Sequence, residues 1–168
     1  METCAMQDYS ANRYLPIAWE LFHRDTRLLA HKLMGHKDWK GIVAITRGGL
    51  IPSSIIAREL DLRLVDCLCI ISYDDRTQGE IRVAKTVQKD VVGDGEGWLI
   101  IDDLVDSGVT ARKAKAILPQ GHMATVYAKP HGEPCVDTYA VAVPQDMWLL
   151  FPWDAELMPN EPLAKRIP

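Results

Sequence analysis

The chain has 168 residues, 48% hydrophobic and 25% charged, a length and balance that one globular domain accommodates. A formal net charge of −4 and a pI near 5.7 exclude a general nucleic-acid binder, which would carry a basic face. No apolar stretch reaches bilayer-spanning length, and residues 1–12 lack the apolar core of a signal peptide.

Residues 1–13 read as a polar, flexible leader and residues 14–168 as one domain. Trp19 to Met34 places Phe22, Leu29 and Leu33 at helical spacing, with His23, Arg24 and Asp25 opposite, which predicts an amphipathic helix. Gly41 to Thr46 is a short β-branched strand, and Pro52 suits the first turn of a helix running through Ile55, Ile56 and Leu60. Leu62 to Ser72 is the next strand; within it Cys67 and Cys69 share a face and read as small hydrophobes. With Cys4 and Cys135 they complete no zinc pattern, so the chain reads as a reduced, cytoplasmic protein. From Tyr73 to Gly97 a long polar loop, ending in Gly93, Gly95 and Gly97, reads as a lid in which Val83, Val87, Val91 and Val92 form one face of a hairpin. Strand and helix then alternate through Trp98–Asp103, Thr110–Leu118, Met123–Ala128 and Tyr139–Val143. The proline- and tryptophan-rich stretch after Trp148 reads as a small hood. This order predicts an α/β fold, a mostly parallel sheet with helices on both faces.

The segment Leu99 to Ala111, Leu-Ile-Ile-Asp-Asp-Leu-Val-Asp-Ser-Gly-Val-Thr-Ala, carries the most chemistry. An apolar strand delivers Asp102 and Asp103 to its carboxyl end, where ligands bind in open α/β sheets. Asp106, Ser107, Gly108 and Thr110 follow before a helix, whose first N–H groups suit an anion. Caps and turn formers account for Asp and Ser before a helix. Three acids in five residues, however, repel one another unless a ligand or cation compensates them. No Gly-Lys-Ser/Thr is present, which excludes a nucleoside-triphosphate P-loop, and the combination points to a sugar phosphate.

This segment resembles the phosphoribosyl-diphosphate motif of type I phosphoribosyltransferases. Gly41-Ile-Val-Ala-Ile-Thr-Arg-Gly-Gly-Leu50, Ile71-Ser-Tyr-Asp74, Gly93-Asp-Gly-Glu-Gly97, Tyr127-Ala-Lys-Pro130, Pro144-Gln-Asp-Met-Trp148 and Pro152-Trp-Asp154 resemble the bacterial xanthine–guanine branch. The likeness runs in order from about Tyr14 to about Asp154. It implies the type I phosphoribosyltransferase fold with a small hood. It also implies transfer of a 5-phosphoribosyl group from phosphoribosyl diphosphate to a 6-oxopurine (xanthine, guanine or hypoxanthine), with release of diphosphate.

The resemblance also implies roles. Ser107, Gly108, Val109 and Thr110 would bind the 5′-phosphate, with Gly108 permitting the φ that such a nest needs. Asp102 and Asp103 would take the ribose hydroxyls, Asp103 also holding Mg²⁺ through water. Asp106 would be the general base at purine N7. Arg47 and Gly48 lie at a strand end where a guanidinium and backbone amides can meet a diphosphate, although a solvated arginine in a strand-to-helix turn has the same sequence. The family carries a non-proline cis peptide in this turn. Lys129 would donate to the 6-oxo group, Trp148 would stack on the purine and the Leu149 carbonyl would accept from its 2-position group. Taken alone, such a lysine is surface and such a tryptophan is packing. Asp154 is a further candidate metal contact. Ser72 and Tyr73 would open the lid; Gly79 stands where the family has an arginine, leaving Arg76, Arg82 or Lys85 as substitutes.

The alternative is a non-catalytic regulator that binds phosphoribosyl diphosphate or a nucleotide. Such a regulator would bring a nucleic-acid-binding domain or a basic face, and this chain has neither. The resemblance further implies a homo-oligomer, in the family a tetramer. It places the protein in the cytoplasm or peripherally on the cytoplasmic face of the inner membrane, with no membrane span and no nucleic-acid partner.

Overall fold

A computed structural model describes residues 13–35, 38–72 and 81–154. The leader expected before residue 13, the lid residues 73–80 with Tyr73, Arg76 and Gly79, and residues 155–168 lie outside the described residues. In chain order the elements are β1 (Arg13–Pro16), α1 (Trp19–Leu33), β2 (Gly41–Thr46), α2 (Leu50–Glu59), β3 (Val65–Ser72), β4 (Ile81–Lys85), α3 (Lys89–Val92), β5 (Trp98–Val105), α4 (Val109–Ile117), β6 (His122–Ala128), β7 (Thr138–Ala142) and β8 (Met147–Leu150). The described residues fall into two compact units, one within 23–145 and one made of 13–22 with 146–154.

The larger unit contains a six-stranded sheet in the order β4-β3-β2-β5-β6-β7, parallel except for β4. Its central strands are continuous apolar runs, as strands covered on both faces require. Ile42, Val43 and Ala44 of β2 and Leu99, Ile100 and Ile101 of β5 are fully buried. Each fully buried Val, Leu or Ile side chain contributes roughly 1.5–3 kcal/mol. That burial offsets the cost of bringing Asp102, 9% exposed, to the end of the same strand. The α2 helix packs on β2 and β5, and α4 on β5.

Phe22, Leu29 and Leu33 of α1 are buried as their spacing predicts. Asp25, expected on the polar face, is instead buried at 3%, because the Tyr127 hydroxyl donates to it at 2.9 Å and Arg24 pairs with it at 2.9 Å. The lid reading also needs correction beyond residue 80. Residues 81–85 form β4, antiparallel to β3, and residues 89–92 form α3. Only Val83 of the four valines lies on a hairpin strand; Val87 and Val92 enter the core, and Val91 is exposed.

In the smaller unit β1 pairs in parallel with β8, Arg13 opposite Met147 and Leu15 opposite Leu149. Arg13, placed in the leader by sequence, is thus the first residue of a strand and bonds Asp146 at 3.3 Å. Phe22, Phe151 and Trp153 form an aromatic cluster, with the last two rings stacked at 4.8 Å.

Candidate active site

In the larger unit the connection after β2 leads to β3 on one side, whereas that after β5 leads to β6 on the other. Chain direction therefore diverges between β2 and β5, the place where open α/β sheets bind ligands. A cavity opens there, lined by residues 102–111 with Met123. Asp102, Asp103, Asp106, Ser107, Gly108, Val109 and Thr110 are all brought together in it.

Gly108 caps α4 with φ +76°, ψ 5°, the left-handed conformation that glycine adopts freely. The first intrahelical bond, Arg112 N–H to Gly108 O, measures 2.9 Å. The N–H groups of the first turn, N-terminal to it, have no helical carbonyl to meet and suit an anion. A β-carbon at Gly108 would run into the Cys135 sulfur and the Arg112 guanidinium, which themselves lie 3.0 Å apart.

On the β2 side, Thr46 and Arg47 are joined by a non-proline cis peptide, the feature that the resemblance implies. Gly48 follows, and a β-carbon there would meet the Asp103 carboxylate and force it to shift. The turns after β2 and β5 thus share a seam.

Burial pushes the Asp102 carboxyl well above the usual carboxylate range, and the charge of Asp103 adds to the shift. The Asp103 N–H donates to Asp102 at 3.0 Å and pulls the other way. Adjacent carboxylates whose charges oppose one another fit a hard divalent cation. Magnesium takes one or two carboxylates and leaves the rest of its shell to water and substrate oxygens. Among the described residues no cluster of three His, Cys, Asp or Glu side chains forms a closed metal cage.

Asp106 projects from the end of β5 with its side chain 51% exposed. Lys129, just beyond β6 and 6% exposed, donates to Oδ2 at 2.8 Å. Gln145, after β7, donates to Oδ1 at 2.7 Å. Its amide oxygen accepts from the His131 N–H at 3.0 Å. The turn 129–132 packs directly on this strand end, where a β-carbon on Gly132 would strike Val105 and the Asp106 carbonyl. Sequence reasoning assigned no role to Gln145. Its one sequence signal is its place in the Pro144–Trp148 segment.

Trp148, 50% exposed, and Leu149, buried in β8, lie in the smaller unit, with the Leu149 backbone paired to β1. The Asp154 carboxylate accepts from the Phe151 N–H at 3.1 Å and closes a turn. Ser72 ends β3. Among the expected lid cations, Arg82 is exposed on β4. Lys85 is committed elsewhere: β4 runs back toward the start of β3, where its ammonium bonds Asp66 at 3.0 Å and the Cys67 carbonyl at 2.7 Å.

An acidic β5 end, a glycine-capped α4 and a lysine paired to Asp106 thus gather at the carboxyl edge of the sheet, an arrangement suited to a sugar phosphate. The chain matches the phosphoribosyl transferase domain over residues 18–160 and belongs to that family. It is 52% identical over 155 residues to a xanthine-guanine phosphoribosyltransferase of Desulfotalea psychrophila, covering 92% of this chain and 94% of the relative. A namesake of Nitratidesulfovibrio vulgaris is 51% identical over 161 residues, covering 94% and 96%. The fold is that of a purine phosphoribosyltransferase from Pyrococcus horikoshii, with TM-score 0.73 at 21% identity over 88% of this chain and 99% of that one.

Proposed function

We propose that this protein transfers the 5-phosphoribosyl group from phosphoribosyl diphosphate to a 6-oxopurine (xanthine, guanine or hypoxanthine), releasing diphosphate and forming the nucleoside 5′-monophosphate. The observation that carries this reading is one cavity holding the acidic pair, the glycine-capped α4 and Asp106 joined to Lys129.

Breaking the C1–O bond builds positive charge on the sugar and negative charge on the leaving diphosphate, so the site must favour both. The amides and hydroxyls of residues 107–110 hold the 5′-phosphate at the α4 N-terminus. Asp102 and Asp103 take the ribose hydroxyls. Arg47 and the Gly48 backbone hold the diphosphate. Asp103 is the residue that would hold magnesium, which when bound supplies positive charge to the departing diphosphate. Asp106 receives the purine N7 proton. Lys129 exchanges its bond to Asp106 for the 6-oxo group, and its donor character disfavours the amino group of adenine. Trp148 offers a half-exposed indole for stacking, and the Leu149 carbonyl accepts from the 2-position group. Ser72, the last residue of β3, precedes the segment that the resemblance assigns to the lid.

Relatives about half identical over nine-tenths of the chain are named as enzymes, which disfavours a non-catalytic regulator. A homotetramer in the cytoplasm is the expected setting; exposed Leu64 and Val65 supply apolar surface for association. Among the described residues no helix is long and apolar enough to cross a membrane.

The test is turnover with phosphoribosyl diphosphate, Mg²⁺ and each base in turn. Diphosphate release with xanthine, guanine or hypoxanthine is expected. Nucleotide binding without diphosphate release would overturn the enzyme, and adenine as sole substrate would overturn the specificity.

A further inference from the structure

We propose that Gln145 is a positioning residue for Asp106, its side-chain amide setting the orientation of the carboxylate and tying it to the turn after β6. The inference rests on the reading of Asp106 as the purine-facing base.

The geometry fixes the amide in one sense. Its nitrogen meets a carboxylate oxygen at 2.7 Å, and its oxygen meets a backbone N–H at 3.0 Å. An ionised carboxylate can only accept and an N–H can only donate, so a flipped amide would set like against like at both ends. Gln145 therefore bridges the end of β5 and the 129–132 turn through two directed bonds.

Asp106 needs such a partner because it is half exposed on a loop, where a free side chain samples several rotamers. Its two oxygens are held from different parts of the chain, Oδ2 by Lys129 and Oδ1 by Gln145. If the Lys129 ammonium turns to the purine oxygen, Oδ2 loses a bond at the moment the carboxylate must be placed. Gln145 still holds Oδ1, and a neutral donor does so without cancelling the charge that a base requires. The titratable groups in the segments packed against Asp106 are Lys129, His131 and Glu133, with Asp102 and Asp103 upstream on β5.

The experiment compares Gln145→Met, similar in length but without hydrogen bonds, with Gln145→Glu, in the Mg²⁺- and phosphoribosyl diphosphate-dependent assay with guanine. Asp106→Asn is run alongside. For Gln145→Met, kcat should fall about 10-fold, the low end for outer partners of a functional group, with KM for phosphoribosyl diphosphate within about two-fold. Loss of a donor to the ionised carboxylate should also move the acid limb of kcat/KM to higher pH. Gln145→Glu keeps an acceptor for the His131 N–H but sets a carboxylate against Asp106, so its acid limb should move further up. This second variant preserves the test should the methionine variant fold poorly. Wild-type kcat and acid limb in both variants would overturn the inference. So would a uniform loss of activity with the limb unmoved, which marks a merely structural role. Full turnover by Asp106→Asn would overturn the assignment of Asp106 itself, a result separable from any behaviour of Gln145.

Discussion

The Lys129 ammonium and the Asp106 carboxylate meet at 2.8 Å, the first almost wholly enclosed and the second half open to solvent. A buried cation is costly unless paired, so Asp106 serves Lys129 as much as Lys129 serves Asp106. Any change at either residue therefore reads out on both.

Asp106→Asn keeps the shape of the side chain and removes its charge. Turnover should fall by about 10²–10⁴-fold, the usual contribution of a positioned base. The amide oxygen can still accept from the Lys129 ammonium, but the enclosed cation loses its countercharge, so stability should fall as well. Nucleotide affinity, measured by calorimetry, should stay within a few-fold of wild type. Steady-state rates equal to wild type would remove Asp106 from the chemistry.

Gly108→Ala asks an L-residue to adopt φ +76° while its methyl meets Cys135 and Arg112. The left-handed conformation alone costs about 1–2 kcal/mol. KM for phosphoribosyl diphosphate should rise and the melting temperature should fall, with the purine KM little changed. Kinetics with each substrate varied in turn, together with a thermal melt, check this.

Tyr127→Phe removes the hydroxyl that bonds buried Asp25 across 102 residues of sequence. Burial first, and then the bond to Asp25, push the phenol above its ordinary value, so it remains the donor at neutral pH. Arg24 remains to hold the carboxylate, and the loss should be about 1.5–3 kcal/mol, the worth of a hydrogen bond to a charged group. Urea unfolding of both forms measures it.

Asp66 shows the opposite sign. Partial burial would raise its carboxyl, but the Gln88 N–H at 2.7 Å, the Lys85 ammonium at 3.0 Å and the Cys67 N–H at 2.7 Å together hold it below the usual range. A lowered folded value means stability that is fully present above the unfolded carboxylate value of about 3.9, and lost as pH falls through the folded one. Wild type should therefore exceed Asp66→Asn in stability at pH 7. The gap should close in acid, as melting curves across pH would record.

What was legible in the sequence was local. The β5 run, its two acids and Gly108 sit in one segment, where strand burial, loop and helix start follow one another directly. What was not legible depends on distant partners. Arg13–Pro16 contains a charge and a proline and becomes a strand only through Met147–Leu150, more than 130 residues on. Asp25 looked solvated because Tyr127 lies far along the chain. Lys85 reads from sequence as a lid cation, whereas β4 returns beside β3 and delivers it to Asp66. Gln145 depends on contacts 14 and 39 residues away, which no periodicity encodes.

The absent side chain at Gly48 has a consequence for engineering. Since the Asp103 carboxylate occupies the space a methyl would take, the two crossovers that flank the divergence are matched halves of one mould. A loop brought in with any side chain at position 48 would have to displace the Asp103 carboxylate, so changes to the two turns should be made in pairs.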